Sequence, residues 1–144
     1  MAKPSFVNLW SSYPSESNAG CTDTFANYCA IRMSVTLNTE GSINVSKKTY
    51  SEPKCSHGHA RGAESLANWL WSKHLGRPKI YKDPAAGKVT IAAKKGILFF
   101  RNCFTRAGET SRQGDHIDLW NAGVTKTYND PSNNSQELWF WELS

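Results

Sequence analysis

Cysteine and histidine are the residue types of this sequence best suited to nucleophilic chemistry, and the 144-residue chain has four of each. Cys29 stands out because apolar residues after it recur at steps of three and four, which predicts an amphipathic helix from Asn27 to Gly41. A helix start presents backbone N–H groups and a partial positive charge, and both favour a thiolate. Cys29 is therefore a candidate nucleophile, with a small buried apolar residue or a disulfide half as the alternatives.

A nucleophilic cysteine needs a base, and His116 is the strongest candidate. The other histidines are explained by their surroundings: His57 and His59 fall in a polar loop, and His74 ends a helix, where positive charge suits the helix dipole. His116 instead opens a predicted strand. Since its surroundings do not explain His116 in the same way, we interpret it as the candidate base.

The strand that carries His116 has an unusual face. Alternation along a strand puts His116, Asp118 and Trp120 on one side, and Ile117 and Leu119 on the other. Two interpretations follow for the polar side. Either it is exposed to solvent, or it lines a cleft that faces the helix of the cysteine.

A third residue would orient the imidazole and select its tautomer. Asp118 shares the face of His116, while a two-residue hairpin turn after the strand would place Asn129 opposite His116. A three-residue turn would bring Tyr128 there instead, with Asp130 also near. Asp118 and Asn129 are predicted as equal candidates for this role.

A second group of soft ligands lies in one loop, where Cys55, His57 and His59 alternate. Structural zinc sites use two pairs of ligands, and no matching second pair exists, so we expect no metal site and no cofactor. If Cys29 is the nucleophile, at most one disulfide forms among Cys21, Cys55 and Cys103.

The predicted elements that must position these residues come in two groups. Helices are expected over 6–13, 27–41 and 61–75, and a short strand over 43–45. Strands are then expected over 79–81, 89–91, 96–101, 115–120, 124–128 and 137–143, with a hairpin turn at 121–123. Helices followed by strands predict an α+β fold with a mostly antiparallel sheet.

Length and composition bound the function classes. We expect residues 1–144 to form a single catalytic domain, since the length suits one core. The longest apolar run is too short to span a bilayer, and the first ten residues lack the apolar centre of a secretory signal. A net charge of +5 favours an anionic partner, which leaves nucleic acid, cell wall and membrane surface open.

Several blocks of the sequence together resemble one family, the type VI secretion amidase effectors of group four. The blocks are residues 27–34, 37–41, 94–97 and 114–121, and the similarity extends to residues 4–10 and 138–140. The resemblance implies a papain-like, NlpC-type cysteine peptidase fold. It also implies Cys29 as nucleophile and His116 as base.

The family's third residue is an aspartate on the strand after the histidine, and this chain has no aspartate at the matching place. It also has Gly-Asp-His where the family has Gly-His.

The resemblance implies cleavage of peptidoglycan stem peptides between γ-D-glutamate and meso-diaminopimelate, and a cognate immunity protein as partner. We expect no nucleic acid or membrane partner, synthesis in the cytoplasm without a signal peptide, and delivery to the periplasm of a target cell. The alternative is a non-catalytic module that binds cell wall or glycan, which six tryptophans and the basic charge would also suit.

Overall fold

The computed structural model describes residues 3–14, 28–104, 114–127 and 135–144. Its helices are α1 (Phe6–Ser12), α2 (Cys29–Glu40), α3 (Ala63–Trp69), which continues as a π-helix (Leu70–Leu75), and α4 (Pro84–Thr90). Its strands are β1 (Lys79–Tyr81), β2 (Lys95–Phe104), β3 (Gly114–Asn121), β4 (Val124–Thr125) and β5 (Glu137–Glu142). The predicted α+β class is confirmed. Across these ranges, no helix is both long and apolar enough to cross a bilayer.

The described strands form one antiparallel sheet in the order β1-β5-β2-β3-β4. The central strand β2 pairs with β3 on one side and β5 on the other, so that Phe100 lies beside His116 and Leu98 beside Asp118. Neighbouring residues of a strand point to opposite faces. The register thus assigns each residue of β3 to a face.

Each face of the sheet carries its own apolar cluster. Ile97, Phe99, Ile117 and Leu119 face the cluster formed with α1, α2 and α3, to which Cys29 also belongs. The opposite cluster contains Ile91 after α4 and buried side chains of three strands, namely Leu98, Phe100, Cys103, Trp120, Leu138 and Phe140. The indole of Trp120 donates a hydrogen bond to the carbonyl of Ile91 at 2.9 Å, which fixes α4 against β3.

Helix α1 packs antiparallel to α2 and is held by polar contacts at regular steps. The backbone N–H of Ser5 donates to Glu40 Oε2 at 3.0 Å, and the hydroxyl of Thr36 donates to the carbonyl of Leu9 at 2.6 Å. One turn further along α1, the same register brings Tyr13 level with the first turn of α2. α1 thereby reaches the end of α2 that carries Cys29.

Two predicted strands are absent from the described residues, and each has a physical reason. Residues 43–45 form no strand because Asn38 occupies both backbone groups of Val45, accepting from its N–H at 2.6 Å and donating to its carbonyl at 2.9 Å. Residues 89–91 end helix α4 instead. That helix begins with Pro84 at its first position and the Asp83 carboxylate as cap, and these signals outweigh the strand preference of Val89 and Ile91.

The hairpin between β3 and β4 turns over two residues, as one of the two predicted turn lengths requires. Asn121 pairs with Val124, and the central residues Ala122 and Gly123 have φ values of 49° and 105°. Positive φ at both positions is typical of a type I′ turn. The three-residue turn that would have placed Tyr128 opposite His116 is therefore wrong.

Replacing Gly96 with alanine tests the packing of the central strand. A Cβ on Gly96 would lie 1.9 Å from the carbonyl oxygen of Trp141 on β5, which cannot move without breaking the ladder. We expect Gly96→Ala to lower the free energy of unfolding by about 1–3 kcal/mol or more, measured by urea denaturation. Gly62→Ala is the control, since its Cβ meets nothing closer than 3.7 Å. Equal unfolding midpoints for the two variants would contradict this account of β2.

Candidate active site

Cys29 is the first residue of α2, which begins two residues later than the predicted start at Asn27 and keeps Cys29 in the first turn. Tyr28 precedes it without providing a side-chain cap, and the first turn of the helix contains no acidic residue. The first N–H groups of a helix have no acceptor within the helix, and its N-terminal partial charge is positive. The side chain of Cys29 is buried, with 3% of the residue exposed. The sulfur therefore lies at the positive end of the helix dipole and is shielded from solvent.

His116 and Asp118 lie on β3 and share one face of the sheet, as predicted. This face is not exposed, because His116 is 3% and Asp118 0% accessible, so the solvent-exposed interpretation is wrong. The imidazole stacks on the ring of Phe100, with centroids 6.1 Å apart and an interplanar angle of 20°. His116 thus packs against the apolar cluster that contains Phe100.

His116 connects the other two side chains. Its Nε2 lies 2.9 Å from Asp118 Oδ2, which leaves Nδ1 as the ring nitrogen available to Cys29. Burial by itself lowers the pKa of His116, but hydrogen bonds to Asp118 and Cys29 and the charges of both groups raise it to about 10. A ring with this pKa carries a proton at neutral pH. The arrangement is a cysteine, an imidazolium and a carboxylate in series.

The carboxylate of Asp118 has donors on both oxygens. Oδ1 accepts from the backbone N–H of Leu119 at 2.7 Å and from that of Thr127 at 3.4 Å, and Oδ2 accepts from the hydroxyl of Thr127 at 2.6 Å. Buried carboxylates are stable only with such partners. Of the predicted third residues, the structure brings Asp118 to the imidazole, while Asn129 and Asp130 lie outside the described residues.

Two residues beside this group were missed in the sequence. Tyr13 is one of them: its pKa is raised by burial first, and then by the charges of Asp118 and Cys29. The antiparallel packing of α1 on α2 explains this position. Thr127 is the other, and the two-residue turn already places it opposite Asp118, between the turn and His116.

Among the described residues, the remaining sulfur and imidazole groups form no comparable site. Cys55 Sγ lies 3.6 Å from His59 Nδ1 within one turn, and the rings of His57 and His59 stack at 6.3 Å. Within the described ranges, no three metal-ligating side chains come together. No disulfide joins Cys29, Cys55 and Cys103 to one another, and Cys21 lies outside the described residues.

Solved structures with the same fold define the class of protein. The chain is similar to the type VI effector Tae4 of Salmonella Typhimurium in its complex with Tai4, with a TM-score of 0.75 and 21% identity over 99% of this chain and 100% of that one. It is also similar to the effector Tae4 of Enterobacter cloacae, with a TM-score of 0.74 and 20% identity over 99% of this chain and 98% of that one. The fold is thus the papain-like, NlpC-type fold of these effectors. No curated protein matches the chain in sequence.

The family follows from the sequence itself. Residues 25–141 match the family described as type VI secretion system (T6SS), amidase effector protein 4, or Tae4. The match covers most of the chain, and the chain belongs to this family. It is an antibacterial amidase effector of type VI secretion that acts on peptidoglycan.

The hydrogen bond between His116 and Asp118 predicts an unusual titration. Because the pKa of His116 is raised to about 10, its ring should remain protonated at pH 8, and Asp118→Asn should lower the midpoint of its titration. Nitrogen chemical shifts of the labelled imidazoles measure both states. Burial lowers the pKa of His74, as it does for His59 beside the charge of His57, so these two rings should be neutral in the same spectrum.

A His116 midpoint near the ordinary histidine value of about 6.5 would contradict this geometry. So would a midpoint that is the same in the wild type and in Asp118→Asn. His116→Gln assigns the resonance, because it removes one of the four imidazole signals.

Proposed function

We propose that this protein is a cysteine amidase in which Cys29, His116 and Asp118 hydrolyse the γ-D-glutamyl–meso-diaminopimelate bond of peptidoglycan stem peptides. The observation that carries the proposal is the buried series of Cys29 at a helix start, the imidazole of His116 and the carboxylate of Asp118. An imidazolium beside a sulfur favours the thiolate, which is the nucleophilic form. Asp118 orients the ring and stabilises its charge.

The first half of the proposed reaction forms an acyl-enzyme. The thiolate of Cys29 attacks the carbonyl carbon of the amide, and the oxygen takes up negative charge. Backbone N–H groups in the first turn of α2, including that of Cys29, stabilise this oxyanion. His116 then gives its proton to the leaving nitrogen as the C–N bond breaks, which releases the amine and leaves a thioester on Cys29.

The second half returns the enzyme to its starting state. The imidazole of His116, now neutral, takes a proton from a water molecule whose oxygen attacks the thioester carbonyl. The C–S bond breaks, the acyl group leaves as a carboxylic acid, and the thiolate of Cys29 again lies beside the imidazolium of His116. The carboxylate of Asp118 keeps Nε2 fixed throughout. No cofactor or metal takes part in this scheme.

The proposed substrate and partners agree with the charge of the chain. Stem peptides carry free carboxylates, and a chain with a net charge of +5 attracts them. Relatives of 20–23% identity have been solved as effector–immunity complexes with Tai4, which supports a cognate immunity protein for this chain. We propose that residues 1–144 act as one catalytic domain, which type VI secretion delivers to the periplasm of the target cell. No nucleic acid or membrane partner is part of this proposal.

Replacing Cys29 tests the enzyme and the nucleophile together. Purified sacculi with meso-diaminopimelate should be cut by the wild type to products with a new γ-D-glutamate terminus, identified by chromatography and mass spectrometry of the muropeptides. Cys29→Ala should lower the rate by at least about 1000-fold, because no nucleophile remains. Cys103→Ala is the matched control, since Cys103 is buried in the cluster on the opposite face of the sheet.

Identical muropeptide profiles for the wild type and Cys29→Ala would overturn the proposed function. Binding to sacculi without cleavage, undiminished in Cys29→Ala, would instead support the non-catalytic cell-wall module. Cleavage that depends on Cys29 but leaves the γ-D-glutamyl bond intact would refute the assigned bond.

A further inference from the structure

The residue opposite Asp118 on the hairpin is Thr127. The two-residue turn pairs Asn121 with Val124 and Trp120 with Thr125, and the N–H of Lys126 donates to the carbonyl of Leu119 at 3.0 Å. Continuing this pairing places Thr127 level with Asp118. Its hydroxyl and its backbone N–H both donate to the Asp118 carboxylate, at 2.6 and 3.4 Å.

We propose that Thr127 is a positioning residue of the active site, which holds the Asp118 carboxylate in line with His116 Nε2. This inference rests on the proposed function, because it concerns the same catalytic group. A carboxylate on β3 two residues after the histidine has its backbone on the same strand, and its side chain can rotate about χ1 and χ2. The hydroxyl of Thr127 selects one of these orientations from the opposite strand.

Position 127 is itself held from several sides. The hydroxyl of Thr125 donates to the Thr127 carbonyl at 2.6 Å, and the N–H of Lys126 is bound to β3. The ammonium of Lys126 lies 4.5 Å from the centre of the Trp10 ring on α1. A β-branched side chain on a backbone fixed in this way has few rotamers. Thr127 is therefore a rigid donor, which is what a positioning group requires.

The same geometry makes position 127 a second place from which a carboxylate could reach the histidine. Thr127 Oγ1 lies 3.4 Å from His116 Nε2, on the same side of the ring as Asp118 Oδ2. A carboxylate at 127 would extend further than the hydroxyl does. It should therefore replace Asp118 as the acceptor of Nε2–H when position 118 carries no charge.

The test compares Thr127→Val, Thr127→Ser, Asp118→Asn and the double variant Asp118→Asn/Thr127→Asp. One readout is kcat and KM on a soluble stem-peptide muropeptide. The other is the rate at which iodoacetamide alkylates Cys29 at pH 6.5, followed by mass spectrometry of the Cys29 peptide, which needs no turnover. Thr39→Val is the matched control, because it removes the hydroxyl that bonds Val35 at the far end of α2.

We expect Thr127→Val to lower kcat about 10-fold to 100-fold with little change in KM, since it removes a hydrogen bond to a charged group. The alkylation of Cys29 should slow in parallel, while Thr127→Ser keeps most of both rates and Thr39→Val keeps both. The double variant should exceed Asp118→Asn at least about 10-fold in both readouts. Thermal unfolding of each variant confirms that the fold is intact.

Wild-type rates of turnover and alkylation in Thr127→Val would overturn the inference and leave the proposed function standing. A folded double variant no faster than Asp118→Asn would refute position 127 as a second carboxylate position. If the wild type failed to cleave the muropeptide, the proposed function would fail, and the alkylation rates would still decide the role of Thr127.

Discussion

The hydrogen bond between His116 and Asp118 is the interaction on which the rest of the site depends. Both side chains are removed from water, and a buried charge is tolerated only when an opposite charge and hydrogen bonds compensate it. The carboxylate raises the pKa of the ring against the effect of burial, and the charged ring lies beside Cys29. The charged groups beside Cys29 therefore belong to the sheet, on which His116 and Asp118 lie, although Cys29 itself belongs to a helix.

This dependence explains why the surrounding elements are arranged as they are. α2 must bring its N-terminal end close to His116, and α1 holds α2 in place through Glu40, Thr36 and the packing of Tyr13. The hairpin of β3 and β4 completes the set of donors around Asp118 from the other side. The donors on both oxygens of the carboxylate thus come from β3 and this hairpin, through Leu119 and Thr127.

Much of this was predictable from periodicity and end signals. The place of Cys29 in the first turn of a helix, the end of that helix at Gly41, the alternation along β3 and the tight turn at Ala122 and Gly123 follow from local patterns, and all appear in the structure. The predicted strand over 43–45 is wrong because the side chain of Asn38, seven residues away, hydrogen-bonds both backbone groups of Val45. The choice between Asp118 and Asn129 also depended on side-chain contacts across the hairpin. Local sequence patterns did not predict Tyr13 as part of the site, because its position depends on the packing of two helices.

The two apolar clusters give the site a particular relation to local unfolding. Cys29 is part of the cluster under the helices, whereas His116 stacks on Phe100 of the cluster on the other face. Regions of a protein open with different free energies, and a group that needs two regions is lost when either one opens. Activity should therefore be lost when the less stable of the two clusters opens. On heating, this loss should precede the unfolding of the more stable cluster.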